Sequence, residues 1–114
     1  MATINVTRWD FEQEGQLNEA AIRARFQPAS AFRIGSFRYP AGTTINGSMR
    51  AGTCFVLQGR CQYDFGAAAA RLASGDIAQL PEGPYMLQVI DQDELEIVMC
   101  WELPRVLERI NEPH

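Results

Sequence analysis

The hydrophobic pattern of this chain changes its period once, at Pro28. Before it, residues 16–27 (QLNEAAIRARFQ) are rich in helix formers. Asn18 can cap the first turn, and Leu17 and Ile22 stand at the spacing of a hydrophobic staple. Ala21, Ile22, Arg25 and Phe26 then share one side, so the spacing predicts a short amphipathic helix packing on the rest of the domain. Docking a partner is the other use of such a helix. After Pro28 the chain reads as short extended runs stopped by Gly and Pro. FRIGSFRY (32–39) stops at Pro40-Ala41-Gly42, TCFVLQG (53–59) at Gly59 and RCQYDFG (60–66) at Gly66. RLAS leads to Gly75, DIAQLP to Pro81-Glu82-Gly83-Pro84, YMLQVI (85–90) to DQDE (91–94), and LEIVMCWEL (95–103) to Pro104. Ala67–Ala70 reads equally as one helical turn or a strand-connecting hairpin. The acidic DQDE tip reads as a solvated turn rather than a cation site, and residues 105–112 as a terminal helical turn. Many short strands at close intervals predict an all-β sandwich or barrel, with no internal repeat and no linker.

Composition narrows the functions this fold can carry. A chain of 114 residues makes a single domain, 1–114, with 1–30 as a helical lead segment. Hydrophobic residues at 46% suffice for a core. The net charge of -4 argues against a nucleic-acid partner. All ten basic residues are arginine, which excludes Schiff-base and phosphate-loop lysines. The single histidine, His114, is the last residue and is expected to fray, so neither histidine catalysis nor a multi-histidine metal site is expected. No apolar run approaches the ~20 residues of a membrane span, and no signal-like N-terminus is visible. Cys54, Cys61 and Cys100 are odd in number, without C-x-x-C spacing. Reduced, buried thiols of a cytoplasmic protein are the expectation.

The turn residues resemble a known pattern. Gly75-Asp76-Ile77-Ala78-Gln79-Leu80-Pro81-Glu82-Gly83 is similar to the second cupin motif, G-x5-P-x-G. Tyr39-Pro40-Ala41-Gly42-Thr43 resembles the lead-in to the first motif, and Phe55-Val56-Leu57-Gln58-Gly59 its hydrophobic end, V-L-x-G. The Arg8-Trp9-Asp10 segment and the helix after it look like those of small single-domain bacterial cupins. The resemblance spans roughly residues 8–103. It implies a cupin-type double-sheet jelly-roll barrel with a short N-terminal helix. The family's metal ligands would fall on Asn46, Ser48, Gly52 and Met86, none of which suits a transition metal. No metal and no cofactor are therefore expected.

If 46 and 48 point inward as in the family, alternation carries Arg50, Cys54 and Val56 with them, and Phe55 and Leu57 outward. The Ala51-Gly52 step is where a bulge would shift this phase. Met86, Gln88 and Ile90 would share the inner side, with Tyr85, Leu87 and Val89 outside. On the last strand Leu95, Ile97, Met99, Trp101 and Leu103 form the core face, opposite Glu96, Val98, Cys100 and Glu102. The ligand-binding set expected at the barrel mouth is Asn46, Ser48, Arg50, Cys54, Met86, Gln88 and Trp101. An inward Arg50 would favour a carboxylate or phosphate. The apolar residues left outside call for a cover, either the lead helix or a second copy in a homodimer.

Three functions fit these residues. One is a metal-free module binding a small organic molecule, anionic if Arg50 faces it. Another is a metal-independent isomerase, epimerase, cyclase or dehydratase, with Tyr39, Tyr63, Tyr85, Cys54, Cys100, Glu82 and Glu102 as acid/base candidates. The third is a structural protein whose pocket is filled core.

Overall fold

The computed structural model describes residues 4–90 and 92–103. The terminal turn read over 105–112, His114 and Asp91 of the acidic tip lie outside them. After the strand β1 (Asn5–Arg8) come two short helices, α1 (Phe11–Glu14) and α2 (Glu19–Arg25), and a single 3-10 turn at Ala29–Ala31. The strands β2 (Phe32–Tyr39), β3 (Thr44–Met49), β4 (Gly52–Gln58), β5 (Arg60–Asp64) and β6 (Ala69–Ala73) follow. The chain then forms β7 (Asp76–Leu80), β8 (Gly83–Val89) and β9 (Leu95–Glu102). They make two antiparallel sheets, one ordered β1-β7-β4-β9-β2 and the other β3-β8-β5-β6. This is the all-β double-sheet architecture expected of the jelly roll. No helix among the described residues is long and apolar enough to cross a membrane.

The lead segment is more than a helix. Residues 5–8 add an edge strand to the five-stranded sheet, with Val6 opposite Ala78. Four residues leave too few alternations to read as a strand beforehand. Asp10 caps α1 by accepting from the Glu12 and Gln13 amides, and Asn18 caps α2 by accepting from Ala21. Ala67–Ala70 resolves into the hairpin, closed by Phe65 N–H donating to the Ala68 carbonyl. The acidic tip carries Glu94 beside Arg38, at 3.9 Å.

Two apolar clusters sit on opposite sides of the five-stranded sheet. The inner one fills the space between the sheets, with Cys54, Val56, Cys61, Tyr63, Leu72, Leu87, Leu95 and Ile97 in it. The outer one joins Phe55, Ile77, Val98 and Cys100 to Trp9 and Ile22 of the lead segment, with Leu17 and Phe26 packed against them. Trp9 and Phe26 meet Phe55 edge-on at 6.2 and 5.9 Å. The lead segment is thus the cover that Phe55 and Leu57 require.

Alternation follows the expectation on β4 and β9 and reverses it on β3 and β8. Ile45, Met49, Tyr85, Leu87 and Val89 face the inner cluster. Asn46 pairs with Met86 and Thr44 with Gln88, on the outer side of the four-stranded sheet. A shift of one residue turns every side chain of a strand over, and burial decides between the two phases. Tyr85, Leu87 and Val89 bury more apolar surface than Met86 and Gln88 can. The phase changes between β3 and β4, at residues 50 and 51, where the chain leaves one sheet for the other. Gly59 makes the next crossing, from β4 to β5, with φ 84. A Cβ there would lie 2.7 Å from the Glu94 carbonyl oxygen.

Candidate functional site

One end of the space between the sheets is not filled and leaves a cavity of about 490 Å³. Its floor is Met49, Leu87, Ile97 and Met99. Its walls are aromatic: Phe37, Tyr39 and Trp101 from the five-stranded sheet, Tyr63 and Tyr85 from the other. Its rim carries Arg33, Ser48, Arg50, Glu102 and Leu103. Phe37 and Leu103 remain 37% and 39% exposed, so the mouth opens to solvent.

Period two places Arg33 here. Arg33, Gly35, Phe37 and Tyr39 pair with Trp101, Met99, Ile97 and Leu95, the inner face of β9. Arg50 follows the last residue of β3, at the opposite sheet. Neither guanidinium has an ion pair among the described residues, whereas Arg8, Arg23, Arg25 and Arg38 do. Exposed Ser48 reaches the rim from the end of its strand.

Of the seven residues expected at the mouth, Ser48, Arg50 and Trp101 line the cavity. Asn46, Met86 and Gln88 do not; the reversed phase of β3 and β8 puts them on the outer sheet face. Cys54 points inward as expected but is fully buried in the core and forms no part of the lining. Arg33 and Phe37 line it as well, beyond the expected set, and counting back by twos from Tyr39 reaches both. Among the acid/base candidates, Tyr39, Tyr63, Tyr85 and Glu102 reach the cavity. Cys100 belongs to the outer cluster, and Glu82 is exposed elsewhere.

Burial sets the chemistry of the walls. It raises the Tyr39 hydroxyl above its ordinary range, helped by neighbouring Tyr85 and Cys54. It raises Tyr63 further, and the adjacent thiols of Cys54 and Cys61 add to this. Cys54 is likewise raised by burial, against a hydrogen bond with Tyr63 that acts the other way. These groups stay protonated at neutral pH, so the tyrosines can donate hydrogen bonds but do not serve as resting bases.

The residues present do not fit a transition metal. Asn46 and Met86 point away from the cavity and Ser48 stands at its rim. Gly52 has no side chain, and the edge of the Trp101 indole would lie 2.6 Å from a Cβ placed there. The described residues contain no group of three or more His, Cys, Asp or Glu able to hold an ion. Among the described residues Glu102 is the one carboxylate lining the cavity, and it shares the rim with two guanidiniums.

No family model matches this chain, and no curated protein matches it in sequence. Solved structures do. A cupin 2 domain-containing protein from Halorhodospira halophila is similar at 18% identity and TM-score 0.61, over 89% of this chain and 76% of that one. The cupin domain of Cnp3 from Schizosaccharomyces pombe is similar at 16% and 0.59, over 78% and 69%. Salicylate 1,2-dioxygenase from Pseudoaminobacter salicylatoxidans, with gentisate, is similar at 16% and 0.58, over 94% of this chain but 26% of that enzyme. The likeness is one of fold: the chain has the cupin fold.

Proposed function

We propose that this protein binds a small organic anion, a carboxylate or phosphate with an apolar body, in the mouth of its barrel. The observation that carries this is the pair Arg33 and Arg50, one on β2 and one just past the end of β3. Both stand without ion pairs among the described residues on the rim of one aromatic cavity. A guanidinium offers fixed fork-like donors that match a carboxylate, and a low-polarity cup below strengthens the contact. The whole molecule carries -4, so the attraction is local to the mouth. The Tyr39 and Tyr85 hydroxyls are placed to orient the body of the guest.

The alternative, isomerase- or dehydratase-type chemistry by side chains alone, has less support. Two of its tyrosines and all its thiols are held protonated.

Thermal shift with benzoate, hexanoate, glutarate and glycerol phosphate, against benzylamine and hexylamine, tests the reading. At about 100 Kd a true ligand stabilises by about 2.7 kcal/mol, on the order of 10 °C in Tm for a domain of this size. At least one anion should produce such a shift, and the double variant Arg33→Gln, Arg50→Gln should abolish it. Equal stabilisation by the amines, or none by any anion, overturns the reading. A binder that is converted to a new species, seen by NMR, moves the conclusion to the enzyme.

A further inference from the structure

Three glycines lie on the inner strand faces around this cavity, and each lies beneath one of its aromatic rings. Gly35 of β2 sits under Phe37, where a Cβ would meet Cε2 and Cζ at 3.3 Å. Gly47 of β3 sits under Tyr85, its cross-strand partner, where a Cβ would meet Oη at 3.2 Å and ring carbons at 3.3 Å. Gly52 of β4 sits under Trp101, at 2.6 Å from Cδ1 and 2.9 Å from Nε1. None of the three has a positive φ, so the backbone does not ask for glycine at any of them. A strand interior is an unfavourable place for glycine, and its use there marks a close approach. Here the approach is the same three times, the edge of a ring close against a bare strand. Held this close to the strands, the three rings line the cavity, and a methyl group at any of the glycines would push its ring from that position.

We infer that the mouth is a slot for a flat aromatic acid, and that Gly47, Gly52 and Trp101 set its width. This rests on the anion-binding reading above and goes beyond it by naming the body of the guest. Two aromatic walls, one on each sheet, offer ring faces and edges to an aryl plane. Phe37 and Trp101 already meet edge-on, at 6.3 Å and 81°, and fix a corner into which such a ring packs. A quaternary or primary ammonium would also suit aromatic walls, but Arg33 and Arg50 oppose it at the entrance. A carboxylate on the ring edge would meet them.

Calorimetry with benzoate, 2-naphthoate, cyclohexanecarboxylate and hexanoate tests the slot. The two aryl acids should bind, and cyclohexanecarboxylate, of the same charge but thicker and without a π face, should bind about tenfold or more weakly. Gly52→Ala, which pushes the indole from its position, should lose 2-naphthoate binding by a larger factor than benzoate binding. Should that variant fail to fold, Gly47→Ala, whose contacts need only a few tenths of an ångström of relief, should show the same order of loss. Equal affinity for cyclohexanecarboxylate and benzoate, or unchanged 2-naphthoate binding in a folded glycine variant, overturns the slot and leaves anion binding standing. Failure of all four acids overturns the slot, and failure of glutarate and glycerol phosphate as well overturns anion binding.

Discussion

Each cysteine of this chain is shut away by its own neighbours. Cys54 and Cys61 are fully buried in the inner cluster, and Cys100 lies 3% exposed in the outer one. Burial pushes Cys61 up to about 12 and Cys100 up to about 11, and Cys54 higher still. Since the thiolate is the nucleophile, a disulfide reagent at pH 8 should label none of them in the native protein and all three in guanidinium. Rapid native labelling would contradict the burial described. The same shifts have a sign in stability. The unfolded thiols ionise near 9.0 and the folded ones do not, so stability is complete below that pH and falls as pH rises from there towards 11. At the outer cluster one charge works through its body: the Arg25 guanidinium lies 5.5 Å from the Trp9 ring centre and 6.0 Å from that of Phe55. Arg25→Ala should cost about 0.5–2 kcal/mol in denaturant unfolding, and Arg25→Lys less.

Among the elements, α2 shows best how a local signal becomes a tertiary one. Its Glu19 accepts from the Ser36 hydroxyl of β2 and from Arg23, and both contacts hold its carboxyl below the usual 4.5. A depressed folded value gives stability above the unfolded pKa that is lost as pH falls through the folded one. Thermal unfolding should therefore show Glu19→Gln less stable than wild type at pH 7, with the gap closing below pH 4. Ile22→Ala, at a fully buried site, should cost about 2–5 kcal/mol. Helix α2 was legible because capping, staple and amphipathic side all lie within ten residues. Strands β2, β4 and β9 were legible because each is an extended run bounded by Gly or Pro, or by the acidic tip. β8 was not: Tyr85-Met86-Leu87-Gln88-Val89-Ile90 has an apolar residue in both phases, and the phase that the cupin resemblance implies is the one the structure reverses. What decided it was Tyr63 and Leu87 meeting across β5 and β8, a pairing no local pattern announces. The candidate site inherited that error in Asn46, Met86 and Gln88, while Ser48, Arg50 and Trp101 lie on the rim and wall.

For the molecule as a whole, the five-stranded sheet is shared by both clusters, and its middle strands carry apolar residues on both faces. Cys54, Phe55 and Val56 of β4, and Ile97, Val98 and Met99 of β9, are all buried. Amide hydrogen exchange should be slowest there and fastest in β1 and β6, which lie at sheet edges. Uniform protection across the nine strands would speak against this two-sided core. The order of the sheets also bears on how the chain is made. β2 is paired with β9 alone, from Phe32 with Glu102 to Tyr39 with Leu95. A ribosome delivers the first of these strands some sixty residues before the second, and until the second emerges the first has no hydrogen-bonding mate. Arg33, Phe37 and Tyr39 therefore wait in an open edge until β9 emerges, and one wall of the cavity closes only then.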